Sequence, residues 1–163
     1  MIGTGPLASL ITGTDIGFDF NPTVDRIRIV SNTGLNLRVN PSDGTLTVDG
    51  AINPTGSQVS GAAYTNNFAG ATATVLFDID AQSDRLMKQD PPNNGTLVDV
   101  GALGANIESS NGFDIGGTSN NAWGIFSVAG TAKIYSINLT TGAATAGATF
   151  PQTVKGFTIG LGF

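Results

Sequence analysis

The sequence predicts an all-β fold in a single domain of 163 residues. Eleven of the twelve acidic residues are Asp and only Glu108 is Glu, which disfavours helices because Asp prefers turns and helix caps. Lys and Arg together number seven whereas Gly numbers 23, so the usual residues of surface helices are scarce. Short segments in which apolar and polar residues alternate are separated by Gly, Asn, Asp and Pro, as in strands joined by tight turns.

A four-residue pattern recurs along the chain: Gly, then an apolar, a mixed and an apolar residue. Its copies are Gly17-Phe18-Asp19-Phe20, Gly61-Ala62-Ala63-Tyr64, Gly112-Phe113-Asp114-Ile115 and Gly156-Phe157-Thr158-Ile159. They are 44, 51 and 44 residues apart. Each interval contains four short segments with turn residues between them, which is the content of one propeller blade. The sequence therefore predicts a β-propeller-like fold with about three complete four-stranded blades plus single strands at each end.

The first unit spans residues 15–50 and contains four predicted strands. Ile27 and Ile29 alternate with polar residues in the second strand, and Leu37 and Val39 do so in the third. The segments Asn21-Pro22, Asn32-Thr33-Gly34 and Pro41-Ser42-Asp43-Gly44 provide the turns, because Gly tolerates positive φ and Asn and Asp bond their own backbone.

Two further units and a partial fourth follow the same order. The second unit spans residues 59–104, with Pro91-Pro92-Asn93-Asn94-Gly95 as the turn before its fourth strand. The third spans 111–150, and residues 153–163 form a partial fourth unit with one inner strand. At the other end, PLASLITG is expected to form an outer strand. An arc of three blades would leave two apolar blade faces uncovered, so we expect either that further copies of the chain close the ring or that the chain is a fragment of a longer domain.

Three long segments carry a resemblance to a known family. They are GFDFNPTVDRIRIVSNTGLNLRVNPSDGTLTVDG at 17–50, AAYTNNFAGATATVLFDIDAQSDRL at 62–86 and QDPPNNGTLVDVGALG at 89–104. In this order they resemble a bacterial domain family of unknown function found in secreted and surface-associated proteins. The resemblance implies a repetitive, propeller-like all-β domain in an extracellular or cell-surface location. It implies no known activity and supplies no catalytic residues.

The composition excludes several classes of chemistry. The chain has no Cys and no His, so disulfides, Cys or His metal ligands and a Ser-His-Asp triad are impossible. A net charge of −5 argues against binding to nucleic acid. No apolar run reaches the roughly 18 residues that a membrane-spanning helix needs, so no membrane insertion is expected.

Two sets of carboxylates are candidate oxygen ligands for a cation such as Ca²⁺. Asp19 and Asp114 have the same place in units one and three, on inner strands that would line a central channel. Asp78 and Asp80 lie two residues apart on one strand and therefore share a face. The alternative for both sets is structural, since buried carboxylates accept hydrogen bonds within a blade or flank a turn. No cofactor is expected, with calcium as the possible exception.

Aromatic and basic residues give weaker candidates. Trp123, Tyr64 and Tyr135 are candidate stacking residues for a sugar ring, although the alternation around Trp123 and Tyr135 also fits core packing. Arg26 and Arg28 share one face of the second strand, with Arg38 on the third, and pairing with Asp25 or Asp19 across the blade is expected.

These observations predict a non-enzymatic, exported scaffold that associates with itself. The mechanism would be complementation of strands and blade faces, with burial of four apolar residues near the C-terminus: Phe157, Ile159, Leu161 and Phe163. One alternative is a lectin-like module that binds a glycan or other ligand on one propeller face. A second alternative is a calcium-assisted hydrolase.

Overall fold

The chain folds into three four-stranded antiparallel sheets, which confirms the predicted fold class. The computed structural model describes residues 11–109, 111–152 and 154–160. In each sheet the strands are hydrogen-bonded in chain order, so every sheet is a simple meander. The first sheet consists of β1 (Ile16–Asn21), β2 (Arg26–Ser31), β3 (Asn36–Val39) and β4 (Leu46–Val48).

The second and third sheets have the same plan. The second contains β5 (Val59–Tyr64), β6 (Leu76–Asp80), β7 (Arg85–Gln89) and β8 (Leu97–Ala102), with a short 3-10 helix at Pro92–Asn94. The third contains β9 (Asn111–Ile115), β10 (Ala122–Val128), β11 (Thr131–Ile137) and β12 (Ala144–Thr149). The three sheets fall within residues 15–50, 59–104 and 111–150. In the described part of the chain, no helix is long and apolar enough to cross a membrane.

The turn between the third and fourth strands recurs in all three sheets. The backbone N–H of Asn40 donates to the carbonyl of Thr45, and that of Asn138 donates to Ala143. Asp90 donates in the same way to Thr96, across a turn that is longer by one residue. Each turn includes a glycine with positive φ, such as Gly44 (φ 75°), which only glycine adopts at little cost. These short turns keep consecutive strands antiparallel and adjacent.

The three sheets pack face to face in chain order. Between the second and third sheets lies the largest apolar cluster, which includes Phe77, Ile79, Phe113 and Phe126. Between the first and second sheets lies a smaller cluster that includes Val30, Tyr64 and Met87. The third cluster, Ile29, Leu37 and Val39, lies on the face of the first sheet that points away from the second. The first strand of each sheet lies against the first strand of the next, as in a propeller.

Glycines set the close approach of these inner strands. The motif glycine of each unit contacts the second motif residue of the next unit so closely that a side chain added to the glycine would collide with it. The pairs are Gly17 with Ala62, Gly61 with Phe113, and Gly112 with Phe157. The third pair shows where the C-terminal segment lies, because Phe157 has the place beside β9 that a further inner strand would take. Its conformation differs from the prediction: residues 154–160 form no strand. The outer strand expected from PLASLITG lies outside the described residues, except for Ile11, Thr12 and Gly13.

Candidate functional site

Two neighbouring cavities, together called the channel below, lie along the inner strands. The first is lined by residues of β1, β5, β9 and the segment 154–160. A second cavity of about 480 Å³ lies between β1, β9 and that segment. The second cavity is lined by Asp19 and Asp114 together with the aromatic side chains of Phe18, Phe20, Phe113 and Phe157. The structure thus places two of the predicted carboxylates in one channel.

Asp19 bridges the first two inner strands. Its Oδ2 atom accepts a hydrogen bond from the backbone N–H of Tyr64 in β5 (2.6 Å), and its Oδ1 atom accepts one from the N–H of Phe20 in β1 (2.7 Å). The side-chain amide of Asn67 also donates to Oδ1 (3.0 Å). The carboxylate therefore accepts three hydrogen bonds, two of them from neighbouring inner strands.

Asp114 makes the equivalent bridge two units further along, between the inner strand β9 and the segment 154–160. Its Oδ1 atom accepts from the backbone N–H of Ile115 (2.8 Å), and its Oδ2 atom accepts from the N–H of Ile159 (2.6 Å). The hydroxyl of Thr158 donates to the same Oδ2 atom (3.0 Å). One carboxylate thus serves two consecutive units, which explains why Asp alternates with Ala63 and Thr158 at this position of the repeat.

Burial perturbs the ionisation of Asp19. Desolvation raises the pKa of Asp19 to about 7, and the nearby charge of Asp114 acts in the same direction. The hydrogen bonds from the N–H groups of Tyr64 and Phe20 favour the ionised form and oppose this rise. An additional cation in the channel would favour ionisation further.

Asp78 and Asp80 lie elsewhere, between the first and second sheets. Asp80 caps a turn: its Oδ1 atom accepts from the backbone N–H of Gln58 (2.7 Å), and its Oδ2 atom accepts from the hydroxyl of Ser83 (2.7 Å). Both oxygens of Asp78 are buried without a hydrogen-bond partner. Burial raises the pKa of Asp78 to about 8, against the opposing charge of Arg28.

The predicted metal ligands are therefore divided between two places. Asp19 and Asp114 are in the channel, whereas Asp78 and Asp80 are in the interface between sheets. Within residues 11–109, 111–152 and 154–160, no three acidic side chains are grouped in a way that suits a metal ion.

Arg28 is fully buried and connects the first two sheets. Its guanidinium donates to the carboxylate of Asp49 (2.7 Å) and to the side-chain oxygen of Asn93 in the second sheet (2.8 Å). The same Asp49 accepts two hydrogen bonds from Arg38. The prediction that Arg28 pairs with Asp25 or Asp19 is wrong. Burial raises the pKa of Asp49, but the hydrogen bonds from Arg38 and Arg28 outweigh it and hold the pKa below its ordinary value.

The three predicted stacking residues differ in exposure. Tyr64 is buried and its hydroxyl accepts a hydrogen bond from Arg28 (3.3 Å), and Tyr135 is buried against the ring of Phe126. Neither ring is exposed to solvent, so neither tyrosine is placed to stack on a sugar. Both pack in the interior, as the alternation had indicated for Tyr135. Trp123 is half-buried and lines a cavity of about 430 Å³ together with Asn121 and Ser136.

The residues predicted for self-association lie in the C-terminal segment. Phe157 and Ile159 are half-buried beside β9, while Leu161 and Phe163 lie outside the described residues. Two exposed aromatic residues on the inner strand β1 were not predicted from the sequence as candidate contact residues. Phe18 is 55% exposed and Phe20 is 43% exposed, and their rings are in edge contact with centroids 6.2 Å apart. Their place in the repeated motif was visible in the sequence, but their exposure was not.

A family profile described as Domain of unknown function (DUF4394) matches residues 2–158. No curated protein matches the chain.

Proposed function

We propose that this chain, which belongs to the DUF4394 family of domains of unknown function, is a non-enzymatic, propeller-like scaffold that associates with further copies of itself. The proposal places the contact at the channel, between the inner strand β1 of one copy and the segment 154–160 of another. It includes an exported, surface-associated location in a bacterium, which the low charge content and the absence of cysteine support.

The recurring contact of a glycine with the next inner strand carries this proposal. Gly17, Gly61 and Gly112 each pack closely against the next copy of the repeated motif. Gly156 has the same place in its motif, but among the residues that the structure describes nothing lies within 4 Å of the point where its side chain would begin. The other half of the contact, which is the residue after the motif glycine, is exposed in the first unit, where it is Phe18. One molecule thus displays both halves of a contact that it already makes three times internally.

Joining these halves between copies would give a head-to-tail interface. Phe18 of one copy would pack on Gly156 of another, as Phe157 packs on Gly112 within the chain. Fully burying one Phe side chain contributes about 1.5–3 kcal/mol, and Phe18 and Phe20 are both available for burial. A head-to-tail contact closes into a ring when its rotation permits, so the expected assembly is a ring of blades from two or more copies.

Sedimentation equilibrium at micromolar concentration tests the proposal. The expected mass corresponds to two or more copies, and Gly156→Val is expected to reduce it to that of one chain. Valine at position 156 meets no described residue of its own chain, so the variant is expected to block the partner's Phe18 while the fold persists.

Phe18→Asp provides a second variant, with Val24→Asp as its matched control. Val24 is equally exposed but lies in the turn after β1, and both substitutions add one negative charge. We expect the assembly to dissociate in Phe18→Asp and to persist in Val24→Asp. A monomeric parent chain, or equal dissociation in both variants, would overturn the proposal.

Glycan binding at Trp123 is the second candidate function. It is supported by the cavity of about 430 Å³ in which the half-buried indole lies beside the hydroxyl of Ser136 and the side chain of Asn121. An aromatic face with adjacent hydrogen-bonding groups is suited to a sugar ring. The test is a glycan array: binding should be lost in Trp123→Ala and retained in Phe150→Ala, which removes an exposed aromatic residue outside this cavity.

A further inference from the structure

A separate cavity of about 480 Å³ opens beside the turn between β1 and β2. Its walls come from β1, from that turn, from the loop between β5 and β6 and from Thr158 of the segment 154–160. Four of its residues define its chemistry: the carboxylates of Asp19 and Asp25, and the aromatic rings of Phe20 and Phe68. Phe20 also borders the self-association contact proposed above, which rests on Phe18 and Gly156.

The carboxylates give the cavity negative charge. Asp19 is held in place by three N–H donors. Because an ionised carboxylate has about four acceptor positions, one remains for a further donor. Asp25 is exposed, and within the described part of the chain its carboxylate has no hydrogen bond or ion pair. The nearby guanidinium of Arg26 donates instead to the backbone carbonyl of Asp25 (2.7 Å), and Arg26 is not among the residues that line the cavity.

The aromatic rings give the cavity an apolar wall. Phe20 is 43% exposed and Phe68 is 42% exposed, although apolar side chains of this size are usually buried. The face of an aromatic ring carries partial negative charge and attracts cations. Rings and carboxylates therefore select the same kind of ligand, a positive charge attached to apolar carbon.

We propose that this cavity binds an organic ammonium ion: the charged nitrogen donates to Asp19 and faces Asp25, and its carbon skeleton contacts Phe20 and Phe68. A divalent metal ion fits poorly, because Asp19 has only one acceptor position left and no third carboxylate lines the cavity among the described residues. A small-molecule amine and the lysine side chain of a protein partner offer the same chemistry.

Titration with cyclohexylammonium at pH 8, followed by amide chemical shifts in a ¹H–¹⁵N spectrum, tests the inference. The expected result is saturable shifts at the amides of Phe20, Tyr64 and Phe68. Cyclohexanol has nearly the same shape without the charge, and it is expected to produce no saturable shifts. Equal binding of the alcohol would overturn the inference.

Two variants, each with a matched control, locate the site. Asp25→Asn should weaken binding about threefold, whereas Asp43→Asn, which removes the same charge in another turn, should leave it unchanged. Asn tolerates the positive φ of residue 25, so the turn is retained.

Phe68→Leu should also weaken binding about threefold because it removes the ring face, and Phe150→Leu should not. Equal weakening by a variant and its control would mean nonspecific attraction and would overturn the inference.

A final comparison distinguishes the two sources of the ammonium group. Tighter binding of Nα-acetyl-lysine N-methylamide than of cyclohexylammonium supports the site with a protein lysine as its ligand. Tighter binding of cyclohexylammonium supports it with a small-molecule amine.

Discussion

Asp114 connects the inner strand β9 to the segment 154–160 through a single side chain, and its two oxygens have separate roles. Oδ1 accepts within its own unit, from Ile115, and Oδ2 accepts from Ile159 in the following segment. In Asp114→Asn one oxygen becomes an N–H₂ group, which cannot accept. Since the hydrogen bond from the segment 154–160 lacks the support of a strand ladder, we expect the variant to lose this bond.

The prediction for Asp114→Asn is a local loss of protection. The amide of Ile159 should exchange about tenfold faster with solvent, since a hydrogen bond to a charged group contributes about 1.5–3 kcal/mol. The amides of β10 should be unaffected. Asp99→Asn is the control, because Asp99 forms only an exposed ion pair with Arg85 and should leave Ile159 unchanged. Unchanged exchange in Asp114→Asn would contradict the assigned role.

Asp78 gives a prediction of pH dependence. Its pKa is about 8 in the folded chain and 3.8 ordinarily, so the folded state binds this proton more tightly than the unfolded state. The free energy of unfolding therefore falls as the pH rises from about 4 to about 8. Asp78→Asn has nearly the shape of the neutral acid and removes this contribution.

Thermal unfolding at pH 6 and pH 9 measures the effect. The melting temperature of the parent should decrease between these values by more than that of Asp78→Asn. Asp19 contributes a decrease of the same sign to both proteins, because its pKa is also raised, to about 7. The difference between the two proteins therefore isolates Asp78. Parallel decreases would show that Asp78 is not the responsible group.

At the scale of elements, Arg28 in β2 joins the first two sheets and should be far more important than an exposed arginine. Arg28→Leu removes one partner of a buried ion pair with Asp49, a loss that typically costs 3–5 kcal/mol. Arg38 still neutralises Asp49 in the variant, so we expect about 3 kcal/mol. Arg85→Leu, which breaks an exposed pair, should cost far less than Arg28→Leu. Urea denaturation of both variants checks the difference, and similar costs would contradict it.

The strands could be predicted from the sequence, but most of their contacts could not. Alternation and turn residues are local signals, and β1 to β12 all lie within the predicted units. The pairing of Arg28 depends on which side of β2 faces the second sheet and on the approach of Asn93, 65 residues away. The local pattern contains no information about either. The segment 154–160 carries the inner-strand motif without forming a strand, because its Ile159 N–H donates to a side chain instead of a backbone ladder.

The candidate sites were likewise predicted only where a local sequence pattern indicated them. The repeat was sufficient to place Asp19 and Asp114 at equivalent positions, and the structure has both in the channel. Phe68 was not predicted, because it lies in the irregular loop between β5 and β6, where no periodicity indicates which way a side chain points. Tyr64 and Tyr135 were predicted as ligand contacts from their chemistry alone, and burial decides against that role.

At the scale of the whole molecule, the two interfaces between sheets differ in composition. The interface of the second and third sheets is an apolar cluster with twelve buried residues. The interface of the first and second sheets has eight buried apolar residues and also contains Arg28 and Asp78, whose desolvation is costly. The first sheet is therefore held less strongly than the other two.

This difference predicts that the first sheet opens before the rest of the fold. Stability varies within a protein, and cooperative units with fewer buried apolar contacts open at lower free energy. In native-state hydrogen exchange, the amides of Val30 and Leu37 should therefore exchange through a partial opening, while those of Ile79 and Phe126 should require global unfolding. Because self-association would cover the exposed residues of β1, this partial opening should also become rarer as the protein concentration rises. A single exchange free energy for all four amides, independent of concentration, would show instead that the three sheets unfold as one unit.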